Sequence, residues 1–501
     1  MEEIISMLGH GFLVALQPSN LVFCFIGVIA GAVVGALPGL GPTAGCSVLL
    51  PMAFGMNPVT GIILLSGVYC GAMYGGAIAS ILINTPGDSA AVMTCLDGYP
   101  LTRKGRAGAA LGMASFASFI GGSLSVVVFT FMAPYLAKYA VRFGPPEYFS
   151  LMVMALTTAS GMTGEFPVKG FISMLLGLGL SVVGVDLMTG EPRFCFGVPE
   201  LYSGIDFITV ALGLFGVAEM LNLIVTKYEN LAHDRIRLRD FFPTKDDWKH
   251  AWAHILRSSG LGFLVGMLPG AGATIASFMA YAFAKKTSKR PEEFGKGAVE
   301  GVAAPESANN SASVGAWVPL LTLGVPGSGT TAVLLGALMM FNLRPGPLIF
   351  EKAPEFVWGL IASMYVGNVL LILSLFLFVP LFVEVLDIPK WALVSWVMVF
   401  IIAGSYSLDN NLFNVGLTLL FGVIGFFMKR LNYPAAPMVL GLVLGMMTED
   451  SLRQSLVLSG GDPKIFVTRP ISLFLLCVAA LPLIIPVCKK LLAFFRKPAK
   501  A

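Results

Sequence analysis

The sequence predicts an all-α polytopic membrane protein, and its composition, its apolar runs and its charge distribution all favour that class. Of 501 residues, 56% are hydrophobic and only 12% are charged, with a mean hydropathy of +0.83. Soluble domains carry about 25% charged residues. Apolar runs such as 203–225, 359–383 and 470–487 are long enough, or nearly so, to cross a ~30 Å hydrocarbon core as helices. The net charge of +4 comes from basic loops and does not indicate nucleic acid as a partner.

Clusters of basic residues determine the predicted orientation. No Lys or Arg occurs in residues 1–102, and the first cluster is TRKGR at 102–106. The longest basic stretches lie at 227–257 and 284–296, and the C-terminal tail is also basic. Because cytoplasmic loops are enriched in Lys and Arg, all of these clusters are predicted to face the cytoplasm.

A Leu-Pro-Gly sequence interrupts two of the apolar regions. The second of these regions, 258–284, has basic residues on both flanks, so a single straight helix cannot satisfy its orientation. A re-entrant hairpin can, with the chain reversing at Pro269 and Gly270, because Pro and Gly break helices. Each arm is predicted to have about 15 residues, which is about 22 Å at 1.5 Å per residue.

The first copy, GALPGLGPTAG, lies within residues 20–56 and has no positive charge on either flank. Its hairpin is therefore predicted to open to the outside. An odd number of predicted crossings separates the two hairpins, which inverts the second relative to the first. The sequence thus predicts an inverted-topology repeat, a plan found in many secondary transporters. The chain as a whole is predicted to cross the membrane about 11 or 12 times, with 4–16 as the uncertain crossing.

Each hairpin is followed by an apolar helix that Pro-Gly interrupts within its apolar length. When Pro86 is aligned with Pro326, Gly75 falls on Gly315, and small polar residues follow Pro-Gly in both copies. The predicted organisation is a first repeat, a cytoplasmic linker and a second repeat at 1–226, 227–257 and 258–501, with hairpins at 20–56 and 258–284 and broken helices at 59–98 and 298–343.

Broken helices in a membrane have a physical consequence that points to ligand binding. Each unpaired backbone group costs several kcal/mol in lipid unless it is buried in protein or faces a wet cavity. Free N–H groups at the start of a half-helix attract anions, and unwound carbonyls can bind a cation. We expect the two hairpins and two broken helices to form an elevator-like transport domain with one site near the bilayer centre, and the remaining helices to form its scaffold.

The residue types at the breaks suit an anion bound by dipoles and hydroxyls. No Lys or Arg is predicted at that depth, so a coupling cation, Na⁺ or H⁺, would offset the charge, with no other cofactor or metal. The predicted substrate-binding residues are Pro38, Gly39, Thr43, Asn84, Thr85, Pro86, Gly87, Ser89, Pro269, Gly270, Thr274, Asn310, Ser311, Pro326, Gly327, Ser328, Gly329 and Thr330. The predicted ion-coupling residues are Asp88, Asn309 and Thr331.

Several residues also have a purely structural interpretation. The Gly67–Gly71 spacing is typical of close helix packing. Asp88 and Glu306 are candidates for function because a carboxylate within a membrane is expensive. Glu306 can alternatively be a helix cap near the cytoplasmic surface. Glu219 is expected at the membrane interface because it lies near a predicted helix end.

Five motifs resemble those of the large membrane subunit of tripartite tricarboxylate transporters, the TctA family, over nearly the whole chain from about Leu21. They are GALPGLGPTAG, YGGAIASILINTPGDSAAV, LDGYPLTRKGRAGAALG, LPGAGATIASF and PESANNSASVGAWVPLLTLGVPGSGTTAVLLGAL. The resemblance implies a bacterial inner-membrane symporter subunit that imports tricarboxylates such as citrate, or related carboxylates. It also implies a small four-helix membrane subunit and a periplasmic solute-binding protein as partners. Energy would come from an ion gradient, and the sequence has no Walker-type GxxxxGK[ST] motif.

Three other classes remain as alternatives. A carboxylate-permeable channel would need rings of charge or carbonyls along a continuous pore. A transporter for another small organic anion would share the same architecture. An intramembrane enzyme is disfavoured because the four His residues lie in the N-terminal segment and the basic loop region, away from any predicted catalytic Ser or Asp.

Overall fold

The protein is almost entirely helical, as the sequence predicts. The computed structural model describes residues 2–37, 39–161, 167–186, 189–225, 238–270, 272–385 and 389–495. Within those ranges the only strands are β1 (Gly184–Val185) and β2 (Pro192–Arg193), which form an antiparallel ribbon with Gly184 opposite Arg193.

The helices up to residue 225 frequently begin with proline, whose fixed φ and missing N–H suit the first helical position. They are α1 (Glu2–Ala15), α2 (Pro18–Ala36), α3 (Pro42–Ala53), α4 (Pro58–Ile83), α5 (Val92–Arg103), α6 (Ala107–Ala140), α7 (Pro145–Gly161), α8 (Pro167–Ser181), α9 (Phe207–Ala211) and α10 (Ala218–Val225). A 3₁₀ turn, Ser89–Ala91, precedes α5, and another lies at Pro199–Leu201. A π-helical segment, Leu212–Val217, joins α9 to α10.

The helices after residue 237 include two that begin with a capping box, α11 at Thr244 and α15 at Ser328. They are α11 (Lys245–Gly266), α12 (Gly272–Thr287), α13 (Glu300–Gly315), α14 (Trp317–Leu323), α15 (Gly329–Met340), α16 (Ile349–Lys352), α17 (Pro354–Val385), α18 (Lys390–Asp409), α19 (Leu412–Arg430), α20 (Ala435–Leu458), α21 (Ile465–Thr468) and α22 (Pro470–Phe495). Further 3₁₀ turns lie at Leu238–Phe241 and Pro291–Glu293.

Eight helical segments in the described part of the chain are long and apolar enough to cross a membrane. They are Pro18–Ala36, Pro58–Ile83, Ala107–Ala140, Phe207–Val225, Pro354–Ser374, Trp391–Asp409, Leu412–Arg430 and Ala435–Leu458. Four shorter apolar segments accompany them at Pro42–Ala53, Pro167–Ser181, Gly329–Met340 and Pro470–Pro482. The chain is therefore a multi-pass membrane protein.

Contacts divide the chain into two compact units. The first consists of Met1–Ala140 and Ile208–Phe426, and it contains both Leu-Pro-Gly turns and both Pro-Gly breaks. The second consists of Val141–Phe207 and Phe427–Ala501. Within the second unit, Arg469 donates to the buried Glu147 carboxylate, at 2.5 Å between Nε and Oε1.

Glycines allow helices of the first unit to pack at backbone distance. A Cβ built on Gly71 of α4 would lie 2.1 Å from the Val28 carbonyl oxygen of α2, and one on Gly67 would lie 2.8 Å from that of Cys24. The second half shows the same packing, since a Cβ on Gly266 of α11 would lie 2.3 Å from a carbonyl oxygen of α13. The prediction that the Gly67–Gly71 spacing serves helix packing is confirmed.

The two helix pairs that contain Leu-Pro-Gly have arms of unequal length. α2 and α3 have 19 and 12 residues, and α11 and α12 have 22 and 16. The expected length of about 15 residues fits α12 but was wrong for α11. The reason is the capping box in which Thr244 and Asp247 bind each other's backbone N–H groups, because it starts α11 before the apolar run begins.

Candidate functional site

The first arms of both broken helices end in the same backbone conformation. α4 ends at Asn84 with φ of 54°, and α14 ends at Gly324 with φ of 73°. Both residues have a left-handed backbone conformation, which Gly adopts freely and Asn tolerates better than most residues. Asn84 falls on Gly324 when Pro86 is aligned with Pro326, so the two breaks begin at matched positions.

The far sides of the two breaks also match. Asp88 and Ser328 have extended backbones, and each side chain caps the helical turn that follows. Asp88 Oδ1 accepts from the Ala91 N–H at 3.0 Å. Ser328 Oγ accepts from the Thr331 N–H at 3.2 Å, and the Thr331 hydroxyl accepts from the Ser328 N–H at 2.8 Å. The two caps differ in charge, because the first is a carboxylate and the second a hydroxyl.

Each Leu-Pro-Gly turn is bonded to the Pro-Gly break of its own half. The Gly39 N–H donates to the Gly87 carbonyl at 2.9 Å, and the Gly270 N–H donates to the Gly327 carbonyl at 3.0 Å. Gly39 and Gly270 both have a positive φ, of 87° and 81°. The turn and the break thus satisfy one another's exposed backbone groups, which a membrane interior requires.

Two hydroxyl pairs connect the halves to each other. The Thr43 Oγ1, just after the first turn, lies 2.9 Å from Thr330 Oγ1 in the second break. The Ser89 Oγ, in the first break, lies 2.7 Å from Thr274 Oγ1 just after the second turn. We call these two contacts the hydroxyl bridges. They bring both turns and both breaks of the repeat into one region of the first unit.

The remaining predicted residues at the breaks lie beside these contacts. The Thr85 hydroxyl donates to the Ile83 carbonyl at 3.2 Å, and Asn84 is exposed. Pro326 is buried and Gly329 half-buried. Pro86 and Pro269 adjoin the bonded glycines Gly87 and Gly270 in the chain, whereas Pro38 lies outside the described residues.

Glu306 is fully buried in the second turn of α13, where neutral donors surround its carboxylate. The Thr94 hydroxyl donates to Oε1 at 2.5 Å, and Oε2 accepts from the Ser118 hydroxyl at 3.4 Å and from the Asn309 amide at 3.3 Å. The alternative interpretation of Glu306 as a surface helix cap is wrong, because α5 and α6 cover it.

Asn309, Asn310 and Ser311 group with Glu306 and not with the hydroxyl bridges. The Asn310 amide donates to Ser118 Oγ at 2.8 Å and to Asn309 Oδ1 at 2.6 Å. The Asn309 amide is therefore hydrogen-bonded both to Glu306 and to Asn310. Ser311 is buried, and its hydroxyl has no partner among the described residues.

A small cavity of about 30 Å³ lies between α4, α6, α13, α14 and α17. Its polar lining includes Ser66, Tyr69, Asn310, Ser313 and Asn368. The Tyr69 side chain also lies near Ser328 at the second break. Sequence reasoning missed Tyr69 and Asn368, although Tyr69 lies within the first predicted broken helix, 59–98.

Glu219 lies next to the first Leu-Pro-Gly turn. A Cβ built on Gly39 would lie 2.6 Å from Glu219 Oε1. The π-helical segment Leu212–Val217 ends two residues before Glu219, and such segments frequently occur at functional sites. The first turn therefore has two carboxylates near it, since a Cβ on Gly41 would lie 2.7 Å from the Cβ of Asp88.

Two further carboxylates join segments near the predicted cytoplasmic face. Asp97 of α5 is fully buried and accepts from the N–H groups of Gly295, Gly297 and Ala298 at 2.8–2.9 Å. Asp247 accepts two hydrogen bonds from Arg106 at 2.7 and 2.9 Å. Burial raises the pKa of Asp247, but the hydrogen bonds from Arg106 and Thr244 outweigh it and hold that pKa below its ordinary value.

These features define a class of membrane protein. Two interrupted helices, each with a turn docked against its break, lie within a bundle of membrane-crossing helices. Paired broken helices of this kind are characteristic of secondary transporters, where half-helix ends bind substrate and ion.

Comparison with known proteins identifies the family. Residues 21–440 match the model of the tripartite tricarboxylate transporter TctA family, so the chain belongs to that family and is a membrane transporter component. It is 42% identical over 478 residues to an uncharacterized 52.8 kDa protein in the TAR-I ttuC' 3' region of Agrobacterium vitis, covering 95% of each chain. It is 43% identical over 215 residues to an uncharacterized protein in the TAR-II ttuC' 3' region of the same organism, covering 43% of this chain and 89% of that one. No solved structure matches the chain significantly.

Proposed function

We propose that the chain is the transport subunit of an ion-gradient-driven importer of tricarboxylates or related carboxylates. Membership of the TctA family supports a transport role. The observation that carries the proposal is the pair of hydroxyl bridges, Thr43 to Thr330 and Ser89 to Thr274. They gather hydroxyls, the starts of two helical segments and the Asp88 carboxylate at the two breaks.

The chemistry of this region suits a carboxylate anion together with a cation. The residues after each break begin a helical segment whose first N–H groups point toward the break, and such N–H groups stabilise negative charge. Hydroxyls at Ser328 and Thr330 can donate to carboxylate oxygens in the same way. The Asp88 carboxylate on the other break suits the coupling ion, Na⁺ or H⁺.

The repeat suggests how the site gains access to each side of the membrane. We propose that the two Leu-Pro-Gly helix pairs enter from opposite faces as re-entrant hairpins, and that each covers the site from one side. The hydroxyl bridges favour a transport domain in which both hairpins and both broken helices move together, as in an elevator mechanism. Alternating access by such symmetry-related elements is typical of transporters with inverted repeats.

Membership of the family also suggests in which membrane the protein lies and which proteins it works with. We propose that the protein lies in the inner membrane of a bacterium, that a periplasmic binding protein delivers the carboxylate, and that a small four-helix membrane subunit completes the complex. Membership of a family of tripartite transporters supports these partners.

Uptake by proteoliposomes tests this function. The purified complex is reconstituted, the cognate binding protein is added outside with each of a panel of labelled di- and tricarboxylates, and Na⁺ or H⁺ gradients are imposed. We expect one carboxylate to accumulate above its external concentration only when an inward gradient and the binding protein are both present. Downhill equilibration that needs neither would indicate a channel, and no uptake of any carboxylate would contradict the proposal.

A further inference from the structure

Asp97 and Glu306 are both fully buried carboxylates whose hydrogen-bond partners in the described chain are all neutral, but Asp97 accepts mainly from backbone N–H groups, whereas Glu306 accepts from neutral side chains. Thr94, Ser118 and Asn309 surround it, and it has no exposed surface. Glu300 on the same helix is also buried, but Arg290 lies 3.8 Å from it. A charged group inside a membrane protein without a partner of opposite charge is expensive, and such groups commonly serve ion or proton transfer.

A polar route joins Glu306 to the cavity. Ser118 Oγ contacts Glu306 and accepts from Asn310, and Asn310 lines the cavity together with Tyr69. Tyr69 in turn lies near Ser328 at the second break. A polar cavity of this kind can hold water, so a proton can pass from water in the cavity to Glu306 through the Ser118 hydroxyl.

We propose that Glu306 binds the proton that drives transport, so that its carboxylate takes up one H⁺ as the site loads and releases it on the other side. This inference rests on the proposed transport function and names the coupling ion and its carrier. The hydrogen-bond distances favour H⁺ over Na⁺. The partner atoms already lie 2.5–3.4 Å from the two carboxylate oxygens, which leaves no gap for a metal ion with its own shell of oxygen ligands.

Protonation of Glu306 changes the hydrogen bonds that this residue of α13 makes with its neighbours. The carboxylate accepts from all three neighbours, whereas a carboxylic acid must donate through one of its oxygens. If the proton sits on Oε1, the bond with Thr94 of α5 must reverse its direction. Since α5 follows directly on the first break, the proton on Glu306 can influence the arrangement of that break.

Other titratable groups around α13 must be considered in any pH dependence. Asp88, Cys95 and Tyr74 interact electrostatically with Glu306. On the other elements packed against α13, His254 of α11 interacts with Glu300, and Tyr281 of α12 donates to Asp97. The negative charge of Asp88 repels that of Glu306. A proton on Glu306 removes one of these two charges and so relieves the repulsion.

The direct test is proton binding in the reconstituted protein without substrate. Infrared difference spectra recorded across a pH titration show the C=O stretching band of a protonated carboxyl group. We expect a titrating band in the wild type that disappears in Glu306→Gln and persists in Glu300→Gln, a matched change on the same helix. In Thr94→Val, which keeps the carboxylate and removes one donor, the midpoint shifts. An unchanged band in Glu306→Gln, or an unshifted midpoint in Thr94→Val, overturns the proposal.

The functional test uses the transported carboxylate in proteoliposomes. We expect Glu306→Gln to lower accumulation driven by a pH gradient about tenfold or more, because the carrier of the proton is gone, while carboxylate exchange at equal concentrations continues. Glu300→Gln keeps both activities. Equal accumulation by the wild type and Glu306→Gln overturns this inference alone. Failure of the wild type to transport any carboxylate would instead contradict the proposed function, and with it the coupling role of Glu306.

Discussion

The Thr43 hydroxyl lies 2.9 Å from the Thr330 hydroxyl, although 287 positions separate the two residues in the chain. Its counterpart is the contact between Ser89 and Thr274, 185 positions apart. In each pair, one residue follows a Leu-Pro-Gly turn and the other lies in the Pro-Gly break of the opposite half. The two halves are therefore joined at the same elements from which the proposed site is built.

Removal of the bridging hydroxyls is expected to weaken uptake. Thr43→Val and Thr274→Val keep the side-chain shape and each remove one hydrogen bond, which contributes about 1 kcal/mol, or about fivefold in a rate or binding constant. We expect each variant to reduce initial carboxylate uptake by about that factor, and the double variant to reduce it further. Thr287→Val is the control, because the Thr287 hydroxyl is exposed and bonds only within its own helix. Full uptake by the double variant would contradict a role for the bridges.

The two caps at the breaks are expected to act through different chemistry. Asp88→Asn keeps an acceptor for the Ala91 N–H but removes a charge, so we expect normal membrane insertion, impaired uptake and altered dependence on the driving ion. Ser328→Ala removes a capping hydroxyl, a change that costs about 1 kcal/mol, and it also removes a donor for the anion. For each variant, the initial rate of uptake and the amount of protein extracted from the membrane are measured in the same cells. Wild-type uptake in both variants would count against this location of the site.

Substitution of a glycine at a close helix contact is expected to destabilise the protein. In Gly71→Ala, the new methyl group would lie 2.1 Å from the Val28 carbonyl oxygen, so α2 and α4 must move apart, and overpacking of this kind costs about 1–3 kcal/mol. Gly260→Ala is the matched control in α11, where a Cβ meets nothing within 4 Å. We expect the melting temperature in detergent to fall for Gly71→Ala and to stay the same or rise for Gly260→Ala. Equal melting temperatures would show that the helices are not in backbone contact.

The Arg106–Asp247 pair is expected to make stability depend on acid pH. The pKa of Asp247 is below its ordinary value of 3.8 in the folded protein. The pair therefore contributes stability at pH values above 3.8, and this contribution is lost as the pH falls below that value through the folded pKa. We expect Arg106→Gln to melt below the wild type at neutral pH, and the difference to shrink in strong acid. A difference that does not change with pH would exclude this ion pair as its source.

Much of the proposed site could be predicted from local sequence. Adjacent Pro and Gly residues disfavour a continuous helix, so the turns near Gly39 and Gly270 and the breaks at Gly87 and Gly327 could be predicted from these Pro-Gly pairs. The Gly67–Gly71 spacing likewise predicted a packing surface. In each of these cases, one short stretch of chain determines the local geometry.

Other features depend on contacts between distant segments and could not be predicted in this way. The neutral surroundings of Glu306 arise only where α5, α6 and α13 meet, and the place of Tyr69 beside Ser328 arises from the packing of α4 against the second break. The extent of α11 depended on the Thr244 capping box, which lies within a polar stretch that the sequence assigned to a linker.

Protection of single cysteines by substrate tests the shared site most directly. In a background in which all seven native cysteines are replaced by Ala, Ser89→Cys and Thr43→Cys each place the one thiol in a different hydroxyl bridge, and the rate of alkylation by a small thiol reagent is measured. If both halves form one site, the carboxylate that the wild type transports slows alkylation at both positions. Protection at only one position, or at neither, would contradict a single binding site formed by the two breaks.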